Sequence, residues 1–114
     1  RGGLTFAVHR MGDLWGASSP QRADLDSDGD LDVAVVSAYN DWDDPAAQSL
    51  VWLQNDGQMR FALHDVATAP THLVTLGAGD LTGDGRIDLV TGGLHASRPY
   101  DRMSRITLWT NAAP

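Results

Sequence analysis

No cysteine occurs in the 114 residues, which excludes disulfides, thiolate zinc sites, iron–sulfur clusters and cysteine nucleophiles. Lysine and glutamate are missing too. All 8 basic residues are arginine and all 15 acidic residues are aspartate, so the net charge is −7. That balance disfavours nucleic acid and anionic membrane surfaces as partners. Long apolar runs are also lacking: a stretch such as Val33 to Val36 is far below the roughly 18 residues of a spanning helix, so direct membrane insertion is not expected. Neither a Gly-x-Ser-x-Gly elbow nor a Gly-rich loop ending in Lys is present. His72 and His95 show no metal-ligand spacing with another histidine. The chain is therefore not expected to be an enzyme. At 12.2 kDa the chain reads as one small domain or a piece of a larger one, too small to be a multi-domain enzyme by itself, while 42% hydrophobic residues are ordinary for a globular fold.

The chain repeats itself. Phe6-Ala7-Val8-His9 returns as Phe61-Ala62-Leu63-His64, Ala23-Asp24-Leu25 as Gly79-Asp80-Leu81, and Leu31-Asp32-Val33 as Ile87-Asp88-Leu89. Matching Trp52 with Trp109 aligns Val51-Trp52-Leu53-Gln54-Asn55 with Leu108-Trp109-Thr110-Asn111, and the interval is then 55 at the start, 56 in the middle and 57 at the end. The sequence thus reads as two units of about 56 residues with single-residue loop insertions.

Within each unit, short runs rich in Val, Leu, Ile and Thr are bounded by Gly, Asp, Asn or Pro, which predicts strands and turns rather than helices. Four strands are expected in the first unit, at about Ser18 to Ala23, Leu31 to Ala38, Ser49 to Gln54 and Met59 to Val66. The second unit repeats three, at about His72 to Ala78, Ile87 to Gly92 and Arg105 to Thr110. Gly2 to Arg10 aligns with the fourth strand of the first unit. The expected fold is all-β, with two four-stranded antiparallel propeller blades. Residues 1–16 supply an outer strand and linker, residues 17–67 form the first blade, and residues 68–114 form a second blade lacking its outer strand.

Two blades cannot close a ring, and repeat architectures need about three or more units. Further blades are therefore expected as partners, from the same longer chain or from neighbouring chains that donate their first strand. The longer chain is the favoured expectation, in keeping with a start at Arg1 rather than Met.

Asp24-Leu25-Asp26-Ser27-Asp28-Gly29-Asp30-Leu31-Asp32 packs five carboxylates into nine residues. Like charges about 4 Å apart repel by as much as ~4 kcal/mol at a surface-like dielectric, and a bound cation relieves this. All the ligands on offer are hard oxygens, the preference of calcium, whereas zinc favours nitrogen or sulfur. The second copy, Asp80-Leu81-Thr82-Gly83-Asp84-Gly85-Arg86-Ile87-Asp88, has a hydroxyl at its third position, so a second and weaker calcium site is expected. An EF-hand would carry a carboxylate at position twelve. Here Val35 and Thr91 stand there, inside β-branched runs.

These loops, followed by Leu31-Asp32-Val33-Ala34-Val35-Val36 or Ile87-Asp88-Leu89-Val90 and then by Val51-Trp52-Leu53-Gln54-Asn55-Asp56-Gly57, closely resemble the FG-GAP repeat, also called VCBS, of integrin α-chain-like β-propellers. The resemblance implies calcium held by the side chains of Asp24, Asp26, Asp28 and Asp32 with the carbonyl of Asp30. A second ion would be held by Asp80, Thr82, Asp84 and Asp88 with the carbonyl of Arg86. It also implies that the loops between second and third strands emerge on the ligand face. Tyr39, Trp42, Arg98, Tyr100 and Arg102 in those loops are candidate contacts for a protein or glycan, the alternative being a solvated or packed loop. Trp52 and Trp109 are read as core between blades, and His9 and His64 as structural or surface residues.

The expected function is that of a calcium-binding repeat module for extracellular protein or carbohydrate recognition, in an exported or periplasmic setting where calcium is plentiful. The alternatives are an accessory subunit of a larger exported complex and a non-catalytic module of a secreted enzyme.

Overall fold

The computed structural model describes residues 3–94 and 106–112. These residues form seven strands and no helix: β1 (Ala17–Ala23), β2 (Asp32–Ser37), β3 (Leu50–Asn55), β4 (Phe61–Ala67), β5 (Leu73–Gly79), β6 (Asp88–Gly93) and β7 (Ile106–Trp109). Two antiparallel sheets result, in the orders β1-β2-β3-β4 and β5-β6-β7. The chain is all-β, as two partial propeller blades that do not close a ring. β-branched and large apolar side chains at alternating positions favour these pleated, half-buried strands. The observed bounds fall within a residue or two of those read from the sequence.

The sheets pack face to face. Ala34, Val36 and Leu50 from the first sheet meet Leu73, Leu76 and Leu89 from the second in one buried cluster, flanked by Leu25, Ala67 and Trp109. Side chains alternate along a strand, so the neighbouring positions Val35, Val51 and Leu53 form a separate cluster on the opposite face of the first sheet, flanked by Phe61 and Leu63 of β4, with Met11 and Leu14 packed against it. A bulge in β1 between Ser18 and Gln21 adds polar ties between the sheets. Ser19 there has a φ of 52°. Its hydroxyl accepts the Leu76 amide at 3.1 Å, and the Ser18 hydroxyl donates to the Val74 carbonyl at 3.4 Å.

Strand register corrects the reading of the third strands. Val33 pairs with Leu53 in the first sheet, and the equivalent Leu89 pairs with Trp109 in the second. Likewise Ala34 pairs with Trp52 and Val90 with Leu108. Trp109 is therefore the counterpart of Leu53, and Trp52 that of Leu108. From the aspartate loop to the third strand the repeat interval therefore stays constant instead of widening. The tryptophans still share the space between the sheets, because Trp52 lies on the side of the first sheet turned toward the second, and Trp109 on the side of the second turned toward the first. A cavity of about 310 Å³ separates them, bordered by Leu25, Asp26, Val66 and Leu89.

Residues 3–14 form no strand within the chain. Leu4, Phe6 and Val8 are exposed, and only from Met11 onward does this segment pack, against the outer face of the first sheet.

Candidate metal centre

Each aspartate loop joins the first two strands of its sheet, and both follow the same backbone path. Left-handed backbone occurs at Ser27 (φ 60°) and Gly29 (φ 92°) in the first loop and at Gly83 (φ 79°) and Gly85 (φ 85°) in the second. Glycine adopts that conformation without steric cost. The second loop has it at both positions and the first at one.

The first and ninth aspartates organise the backbone. Asp24 accepts the amides of Asp28 at 3.1 Å and Gly29 at 2.8 Å, and Asp80 accepts those of Gly83 and Gly85 at 2.8 Å and of Asp84 at 3.2 Å. The Gly29 amide, with smaller help from the Asp28 amide and neighbouring side chains, holds the Asp24 carboxyl below the usual range. Asp32 and Asp88 are fully buried. Asp32 accepts the Leu25 amide at 3.0 Å and the Asn55 amide at 2.8 Å. Asp88 accepts Leu81 at 3.0 Å, Thr82 at 3.2 Å and Asn111 at 2.8 Å. The Asn111 amide is the main cause holding the Asp88 carboxyl low.

The aspartates between these struts face the centre of the loop. Asp24, Asp26, Asp28 and Asp32 each bring one oxygen within 4.8 Å of the others, as do Asp80, Asp84 and Asp88. Asp26 accepts the Gln54 side-chain amide at 2.7 Å on one oxygen, while its other oxygen, Oδ1, is buried without a hydrogen-bond partner. Asp28 takes the Asp30 amide at 2.9 Å. That bond lowers its carboxyl, but partial withdrawal from water and the charges of Asp26 and Asp24 outweigh it and leave Asp28 above its usual range. A hard divalent cation answers both the unpartnered oxygen and the mutual repulsion. The donor set fits calcium, since a carboxylate oxygen that accepts one amide still has a lone pair for an ion.

The second loop balances its charge differently. The Arg86 amide and, more weakly, the Thr82 hydroxyl and the Arg86 guanidinium hold Asp84 low. The guanidinium lies 3.4 Å from the Asp84 carboxylate. Thr82 stands where the first loop has Asp26, so this cluster has one carboxylate fewer. Asp30 does not bring its side chain to the first cluster. Its carboxylate lies where a side chain on Gly57 would meet it, at 2.9 Å, which leaves its backbone carbonyl as the group it can offer.

Sequence reasoning missed Gln54, Asn55 and Asn111. Asn55 also donates its side-chain amide to the Leu31 carbonyl at 3.0 Å, and Asn111 donates across the sheets to the Leu25 carbonyl at 2.7 Å. The signal was present as an asparagine at or just past the end of each third strand, at the same interval as the aspartate loops.

At the opposite end of the first sheet, the loop after β2 carries Tyr39 and Trp42. Tyr39 is exposed. Trp42 is half-buried, its ring 5.2 Å from that of His72. Both border a shallow hollow with Trp15, Asn40, Asp41 and Asp43. Arg98, Tyr100 and Arg102 lie outside the described residues. His64 is exposed, stacks on Trp52 at 4.8 Å and bonds Gln54 at 2.9 Å.

A family model for the FG-GAP-like repeat matches residues 24–91, from the first aspartate of the first loop into the strand that follows the second. Neither a curated protein nor a solved structure matches the chain.

Proposed function

The chain belongs to the FG-GAP-like repeat family, and we propose that it is a calcium-binding, non-catalytic β-propeller module for extracellular protein or carbohydrate recognition. The observation that carries the calcium reading is the buried, unpartnered Oδ1 of Asp26 inside a cluster of four carboxylates. Asp24, Asp26, Asp28 and Asp32, with the Asp30 carbonyl, hold the first ion. Asp80, Thr82, Asp84 and Asp88, with the Arg86 carbonyl, hold a second and weaker one. Calcium supplies charge balance and cross-links the turn between two strands.

Export follows from the same chemistry, because flexible oxygen loops of this type need the high calcium found outside the cytosol. Recognition falls to the end of the sheets away from the ions, where Tyr39 is exposed and Trp15 flanks it. Calorimetric titration of the ion-stripped chain with calcium chloride tests the proposal. Two binding events of unequal affinity are expected, with a higher melting temperature in calcium. Heat-silent titration together with equal melting in calcium and in chelator overturns it.

A further inference from the structure

Of the four carboxylates in the first cluster, three are held by backbone amides. Asp24 takes those of Asp28 and Gly29, Asp28 that of Asp30, and Asp32 those of Leu25 and Asn55. Among the described residues no backbone amide holds Asp26. A side chain 28 residues further on does so instead, the Gln54 amide of β3, at 2.7 Å.

Gln54 is itself oriented. An ionised carboxylate only accepts hydrogen bonds, so the Gln54 nitrogen must face Asp26 and its oxygen must face away. That oxygen meets Nε2 of His64 at 2.9 Å, which therefore carries a proton. The His64 ring in turn stacks on Trp52, with centroids 4.8 Å apart and planes at 26°. Sheet geometry brings these groups together, because Trp52 and Gln54 are two positions apart on β3 and share a face, and His64 stands opposite Trp52 on β4. Glutamine is among the side chains that lose most rotamer freedom on being ordered. Here that ordering is in place without an ion.

The second loop supplies the comparison. In the observed register Asn55 corresponds to Asn111, so Gln54 corresponds to Thr110, just as Asp26 corresponds to Thr82. The carboxylate and the amide that holds it are exchanged together, both for threonine, while the first and ninth aspartates and the asparagine are the same in both copies.

We propose that Gln54 is a positioning residue for the first calcium site. Its amide occupies one oxygen of Asp26 and leaves Oδ1, buried and without a partner, as the oxygen free to take the ion. A neutral donor does this without the positive charge by which a lysine or arginine in its place would repel a cation. His64 and Trp52 act one step further out, by holding Gln54. The inference rests on the calcium reading above and adds what sets the two sites apart: the first is tighter because its third position has a carboxylate and that carboxylate is held.

Calorimetric titration of the wild type and of Gln54→Met with calcium chloride tests it, since methionine keeps an unbranched side chain and removes both polar atoms. Loss of an outer-shell partner lowers metal affinity roughly 10–100-fold. Gln54→Met is therefore expected to weaken the tighter event by about tenfold or more and to leave the weaker event unchanged, with wild-type melting in chelator. In calcium, Asp26→Ala/Gln54→Met is expected to melt where Asp26→Ala does, because without the carboxylate the amide has nothing to position. An unchanged tighter event in Gln54→Met overturns the inference and leaves the calcium reading standing. So does equal weakening of both events, a melting loss as large in chelator as in calcium, or a further loss in calcium when Gln54→Met is added to Asp26→Ala. A wild type that gives neither heat nor a shift in melting with calcium overturns both.

Discussion

Asp26 and Asp32 sit six positions apart in one loop, and replacing each with alanine separates the ion from the strut. Asp32 is fully buried and holds the Leu25 and Asn55 amides at 3.0 and 2.8 Å. Hydrogen bonds to a charged group contribute roughly 1.5–3 kcal/mol each. Asp32→Ala removes two of them and leaves both amides without an acceptor, so the expected loss is about 3–5 kcal/mol, in calcium and in chelator alike. That is a large fraction of the 5–15 kcal/mol, roughly, that holds a domain folded.

Asp26 binds no backbone. It gives up one bond from Gln54 and relieves the repulsion on Asp24 and Asp28, so Asp26→Ala in chelator is expected to stay within about 1 kcal/mol of the wild type. In calcium it forfeits the stabilisation that ion binding confers, about 2.7 kcal/mol when free calcium is a hundred times the dissociation constant. Urea titrations followed by tryptophan fluorescence measure both conditions. With a slope near 2 kcal/mol per molar, roughly, Asp26→Ala should shift the midpoint by over 1 M in calcium and by less than half that in chelator. Equal losses for Asp26→Ala in the two conditions would refute the division of labour.

The acid limb of the ion-free chain carries a second expectation. Asp24, Asp84 and Asp88 lie below their usual range, so the stability they contribute is complete above the unfolded value and is lost as pH falls through the folded one. Asp28 has the opposite sign, and its cost to the fold fades as pH falls. Melting temperatures between pH 7 and 3 should therefore hold level, then drop below about pH 4, and Asp88→Asn should flatten that drop. Thr82→Asp restores the carboxylate of the first loop and Arg86→Ala removes the guanidinium beside Asp84; each should strengthen the weaker calcium event by several-fold in calorimetry, and unchanged affinity in both speaks against the charge argument. Leu50→Ala, at a fully buried position between the sheets, should cost about 2–5 kcal/mol by urea titration, whereas Ile106→Ala, at an exposed position, should cost under about 1 kcal/mol.

The strands were legible because period-two apolar runs between Gly, Asp and Asn leave few alternatives, as in Asp32–Ser37 and Asp88–Gly93. The aspartate loops were legible for the same local reason: their ligands are neighbours in sequence. What escaped was set by pairing across the sheet. Two tryptophans dominate any alignment of the third strands, yet register is decided by which residue faces β2 or β6. Asn55 and Asn111, which receive the buried aspartates, would have aligned them correctly. The pattern of residues 4–9 was equally plain, but a strand needs a neighbouring edge, and among the described residues this segment pairs with none.

The two loops together explain how one site can weaken without the blade failing. Positions one and nine bind backbone amides in both copies, through Asp24 and Asp32 in the first and Asp80 and Asp88 in the second. They hold the turn and anchor it to the end of the third strand whether or not an ion is present. Position three makes no backbone bond in the first loop, where Asp26 is left with its buried, unpartnered oxygen, and there the second loop has exchanged a carboxylate for Thr82. A substitution at position three therefore changes what the loop binds while leaving intact the hydrogen bonds that shape it. Shape and charge are carried by different members of one nine-residue segment.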